Sequence, residues 1–93
     1  MGEEVGLEVE EMMNEMRTVL TKDDLVIMKG KAYDLPREDI ASAIGANNVK
    51  VVDRRMTRIR TEMKRMYQEN PASLVEEALR HLVIDVEIPG AFS

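Results

Sequence analysis

The chain has 93 residues, a formal net charge of −5, 44% apolar residues and no Cys. That length supports one domain with a limited core. The lack of Cys excludes disulfides, thiolate metal sites and a thiol nucleophile. Tyr33, Tyr67 and Phe92 are the only aromatics, so the core must be aliphatic, and the eight Met are either adaptable core filler or a partner-binding surface.

The start, Met1-Gly2-Glu3-Glu4, lacks the basic residues and apolar run of a signal peptide. Leu7 stands where a myristoylation motif wants Ser or Thr. The longest apolar run, Leu25 to Met28, has four residues, far short of a membrane span. A soluble, cytoplasmic protein with no membrane partner is expected.

Glu3 to Leu20 reads as an acidic amphipathic helix. Val5, Val9, Met12, Met16 and Val19 share a face, and of its six Glu, five crowd the first half. Thr21 with Asp24 is a helix start, and the helix would run to about Lys29 and stop at Gly30. The alternative over residues 25–33 is a β-hairpin turning at Lys29-Gly30. Pro36 suits the first turn of a short helix that buries Ile40, Ala41 and Ile44 and ends at Gly45.

A long helix follows Asn48, its cap. Val49, Val52, Met56, Ile59, Met63 and Met66 form its apolar stripe, and Asn70-Pro71 stops it. A last helix over 71–86, capped by Ser73 or by Asn70, presents Leu74, Val75, Ala78, Leu79 and Leu82. Residues 83–88 could instead be a short strand, and 89–93 a tail. The expected fold is all-α, a small bundle of four to five helices forming a single domain over residues 1–93.

Charge is unevenly placed. Between Val49 and Arg65 stand seven basic residues and two acidic ones, a local +5 that leaves −10 for the rest of the chain. Such asymmetry predicts two faces with different partners. Opposite the apolar stripe lie Lys50, Arg54, Thr57, Arg58, Thr61 and Arg65.

The segment leading into this helix carries a pattern, Ile40-Ala41-x-x-Ile44-Gly45. The small residue lets two helices approach, and the Gly allows a left-handed turn. Here residues 35–68 resemble a helix-turn-helix, at the level of the superfamily and over about a third of the chain. One departure is Arg54, which stands where the usual pattern is apolar. The resemblance implies that the helix over 49–67 enters the major groove of double-stranded DNA. Asn47, Asn48, Lys50, Val51, Arg54 and Arg55 are then the candidate base readers. Thr57, Arg58, Thr61 and Arg65 lie further along, where backbone phosphates are met.

Nothing in the chain asks for an enzyme. His81 is the only His, without Cys or clustered carboxylates for a metal and without a nearby nucleophile. There is no Gly-rich phosphate loop. The reading is a non-enzymatic DNA-binding protein without cofactor or small-molecule substrate, either a transcriptional regulator or a viral or architectural factor. It would be a homodimer through the first or the last helix. The alternative is a protein–protein adaptor in which the basic helix pairs with an acidic helix, in the same chain or another.

Overall fold

Helix boundaries in this chain follow local chemistry. The computed structural model describes residues 6–88. It contains α1 (Leu7–Val19), α2 (Lys22–Ala32), α3 (Arg37–Ala43), α4 (Val49–Glu69) and α5 (Ala72–Ile84). Among the described residues there is no strand, and the domain is a small all-α bundle. The expected first turn at Glu3, with Val5, lies outside them.

α1 buries Val9, Met12, Met13 and Met16 and closes where the Leu20 N–H donates to the Met16 carbonyl at 2.8 Å. α2 opens on a complete capping box. The Asp24 N–H donates to Thr21 Oγ1 at 3.1 Å, and the Thr21 N–H donates to Asp24 Oδ2 at 2.9 Å.

The hairpin alternative over 25–33 is not formed. α2 packs against α3, α4 and α5, so Leu25, Val26 and Ile27 are buried in succession. A helix surrounded on several sides carries no one-sided stripe. Gly30 does not stop this helix either. It is buried inside α2, where an added Cβ would lie 2.7 Å from Ile40 Cγ1, and its role is to let α3 cross closely.

α2 and α3 end in the same motif. At the end of α2, the Leu35 N–H donates to the Gly30 carbonyl at 2.9 Å and the Asp34 N–H to that of Lys31 at 3.1 Å. Asp34 sits at φ 57°. At the end of α3, the Ala46 N–H donates to the Ala41 carbonyl at 2.8 Å and the Gly45 N–H to that of Ser42 at 3.1 Å. Gly45 sits at φ 73°. Both are Schellman turns, which need one left-handed residue. Gly45 supplies it without a Cβ penalty, whereas Asp34 tolerates it.

α4 starts at Asn48, whose Oδ1 accepts the Lys50 N–H at 2.9 Å. It buries Val52, Ile59, Met63 and Met66. Asn70 closes it, with Nδ2 donating to the Met66 carbonyl at 3.1 Å. Pro71, rather than Ser73 or Asn70, occupies the N-cap of α5, with no side-chain cap. α5 buries Val75, Ala78 and Leu82, and α1 packs more extensively on it than on any other helix.

The possible strand over 83–88 is also absent. α5 continues to Ile84, and the Lys29 ammonium donates to the carbonyls of Ile84 and Val86, holding the helix end. The tail expected over 89–93 lies outside the described residues. Met12, Met13, Met16, Met63 and Met66 are buried, and Met28 and Met56 pack against the core. Methionine is therefore core filler at these positions.

The arrangement that matters for function is the contact of α2, α3 and α4 with one another, two by two. Two short helices support one side of α4, and the Schellman turn at Gly45 sets its entry.

Candidate nucleic-acid interface

With Val52, Ile59, Met63 and Met66 buried, the remaining surface of α4 divides into a flank near α2 and an outer face. The flank is held by a buried carboxylate. Asp24 is fully buried, and the Arg58 Nη2 pairs with its Oδ2. The Arg58 Nη1 also donates to the Val19 carbonyl at 2.9 Å. Arg55 Nη1 lies 3.5 Å from both Asp24 Oδ1 and Thr21 Oγ1, and Arg55 Nη2 lies 3.8 Å from Asp23. Asp24 thus caps α2 and receives two guanidiniums of α4. A charge removed from water in this way needs such partners.

The outer face differs. Lys50 and Arg54 are exposed and carry no side-chain hydrogen bond or ion pair among the described residues. Asn47 is exposed in the turn before them, and Val51 is half-buried at the flank. Thr57 and Thr61 are exposed. Their hydroxyls donate to the carbonyls of Asp53 at 3.2 Å and Thr57 at 3.1 Å.

The expected site residues therefore separate. Asn47, Lys50, Arg54, Thr57 and Thr61 are brought together on one exposed side. Asn48 belongs to the turn, but its Oδ1 is occupied by the cap. Arg55 and Arg58 are primarily structural, because the buried Asp24 lies within their reach. Arg65 pairs with Glu62 at 3.0 Å and Glu69 at 3.4 Å on its own helix. The hydrogen bond to Glu62 and then its charge, with those of Glu69 and Glu15, raise the Arg65 pKa above its ordinary value.

Sequence reasoning did not place Lys64 and Arg60 in the site. Both are exposed and have no ion pair among the described residues. Lys64 follows Lys50, Arg54, Thr57 and Thr61 at helical spacing, a signal present in the sequence. Thr21 and Asp24 were read as caps alone. Their contacts with Arg55 and Arg58 span more than thirty residues of chain, which no local pattern reveals. Arg37 of α3 pairs with Asp53 and so offsets the acid nearest the outer face.

The acidic α1 does not cover this face. Glu8, Glu10, Glu11 and Glu15 are exposed, and the apolar side of α1 lies on α5. Glu15 comes within electrostatic reach of Arg65 on α4. His81 is half-buried on α5. Among the described residues no three His, Asp or Glu side chains are grouped as a metal site, and no helix is long and apolar enough to cross a membrane.

No protein-family model matches the chain, and no curated protein or solved structure matches it significantly.

Proposed function

We propose that this protein binds double-stranded DNA through the outer face of α4, without catalysis, as a transcriptional regulator or a viral or architectural factor. One observation carries the reading. In an acidic chain, the cations of α4 nearest the buried Asp24 are paired, while Lys50, Arg54, Arg60 and Lys64 make no ion pair among the described residues. Cations left without partners along one exposed helix face suit a polyanion, and neutralising phosphates releases counterions.

The support is also geometric. α3 leads through the turn at Gly45 into α4, which puts Asn47, Lys50 and Arg54 at the leading end of the second helix, the part that a helix-turn-helix would bring to DNA. Lys50 to Lys64 span about 21 Å of helix at ~1.5 Å per residue, enough to follow a groove and its flanking phosphates.

The test is titration of a labelled duplex at several salt concentrations with wild type and Lys50→Ala, Arg54→Ala. Removing two cations from the interface makes the salt slope shallower, by at most roughly 1.8, the value for two neutralised phosphates at ~0.9 per contact. The variant should melt like wild type, since neither side chain has a partner in the fold. Absence of duplex binding by wild type at low salt would sink the proposal.

The exposed acids of α1 favour a second reading, an adaptor in which α1 of one copy meets α4 of another. That reading predicts self-association that dissolves in salt and is abolished by Lys50→Glu, Arg54→Glu. The homodimer expected through α1 or α5 belongs to the same proposal. Because α1 lies on α5 within the chain, the surface left for it includes Ile84, which is 67% exposed. Sedimentation showing only monomer at tens of micromolar would remove the dimer and leave the DNA reading standing.

A further inference from the structure

Between the start of α2 and the leading half of α4 lies an open cleft of about 450 Å³, lined by Thr21, Val51, Arg54, Arg55 and Arg58. We propose that this cleft is a seat for one phosphate group, beside the groove-facing stripe and sharing Arg54 with it. It rests on the DNA reading only for the source of that phosphate.

A guanidinium carries five N–H groups. Arg58 uses its two terminal nitrogens on Asp24 and the Val19 carbonyl, and Arg55 turns both of its own toward Thr21, Asp23 and Asp24. Arg58 keeps a second N–H on each terminal nitrogen, whereas Arg55 Nη1 is shared between Thr21 and Asp24 and leaves Nη2 and Nε for an anion; both side chains remain partly open to solvent, at 34% for Arg55 and 45% for Arg58. Arg54 has all its donors free. The Thr21 oxygen accepts the Asp24 N–H, and its own O–H remains available to donate.

Preparation is the second point. Holding an arginine for an anion normally costs side-chain entropy. Here the buried Asp24 already fixes Arg55 and Arg58 against the end of α2, so that cost is met in folding. Asp24 lies behind the guanidiniums and does not line the cleft. Asp23 pairs weakly with Arg55 and does not line it either. Three guanidiniums face two carboxylates across the whole cluster, which leaves an excess positive charge for an incoming anion. Planar guanidiniums bind phosphate bidentately. Arg55 thereby becomes a phosphate clamp rather than a base reader, and Thr21 joins the site.

Two probes separate the sources of the phosphate. Inorganic phosphate is titrated into the full chain while the backbone amides of Thr21 and Lys22 and the Nε–H signals of Arg54, Arg55 and Arg58 are followed by NMR, with chloride at matched ionic strength as control. Saturating shifts confined to these groups, seen with phosphate and not with chloride, support the seat. In parallel, a labelled duplex is titrated with wild type, Arg55→Gln and Thr21→Ser. Arg55→Gln should lower the salt slope by ~0.9, about eightfold in affinity at 0.1 M salt. Thr21→Ser keeps the cap and the hydroxyl and should bind as wild type does.

Because Arg55→Gln could loosen Asp24, its melt is measured as well, and Arg54→Gln, which has no partner in the fold, repeats the slope test. Phosphate shifts without any duplex binding would keep the seat for a free phosphate and remove the DNA reading. A wild-type slope for Arg55→Gln with no phosphate shifts, while Lys50→Ala still lowers the slope, would overturn the seat and leave the DNA reading intact.

Discussion

The two sides of α4 carry the same residue types under opposite constraints. On the flank, Arg55 and Arg58 converge on a carboxylate with no solvent exposure. On the outer face, Lys50 and Arg54 meet only solvent. The difference teaches that a basic helix is not a uniform binding surface. Arginines within reach of a buried acid belong first to the fold, and those beyond it are free for a partner. Composition counts both kinds alike.

The largest expected effect tests the flank. Arg58→Ala removes the closest partner of Asp24 and the donor to the Val19 carbonyl, leaving Arg55 at 3.5 Å as the main remaining cation. Stranding one member of a buried pair typically costs several kcal/mol, and about 3 kcal/mol is expected in urea unfolding. A loss below ~1 kcal/mol would mean that the flank resembles the outer face, and the comparison would break. For the same reason, weakened DNA binding in an Arg58 variant says little about contact, and the unpaired Lys50 and Arg54 are the clean probes.

Next comes the support beneath α4. Gly30→Ala places a methyl carbon 2.7 Å from Ile40 Cγ1, and Ile40 is itself fully buried. Overpacking of this kind costs about 2 kcal/mol. α2 and α3 must then separate, and α3 carries the turn into α4. The loss should therefore appear both in the melting temperature and as weaker hydrogen-exchange protection across Ile40 to Asn48. A neutral Gly30→Ala would show that α3 is seated loosely, and that the outer face is less firmly aimed than its geometry implies.

These residues also show what the sequence could reveal. Most helices were legible because one side of each meets the core: the stripes of α1, α4 and α5, the caps at Thr21 and Asn48, and the left-handed Gly45 are all local signals. α2 was ambiguous because it is central, and burial on several sides erases the period that distinguishes a helix from a strand. Gly30 was misread as a stop because a glycine at a close crossing and a glycine at a helix end look alike in one dimension. The actual left-handed residue there is Asp34. Within the candidate site, the spacing of Lys50, Arg54, Thr57 and Thr61 was enough to place them on one side. That Arg55 and Arg58 answer to Asp24 is a tertiary fact.

The smallest effect sharpens the comparison most, because it sets an exposed arginine–carboxylate pair against one whose carboxylate is fully buried. Arg37 pairs with Asp53, yet their side chains are 48% and 53% exposed. Water already solvates both charges, so losing the pair strands neither. Arg37→Ala should cost about 0.5 kcal/mol, and the difference from wild type should vanish near 1 M salt, where the screening length falls to ~3 Å. Its consequence for binding should exceed its consequence for stability. Without Arg37 the Asp53 charge is no longer offset, and it stands on α4 between Lys50 and Thr57. Duplex affinity measured at low salt should then fall while the melt scarcely moves. A variant that instead unfolds as Arg58→Ala does would show that burial is not what separates the two sides of α4.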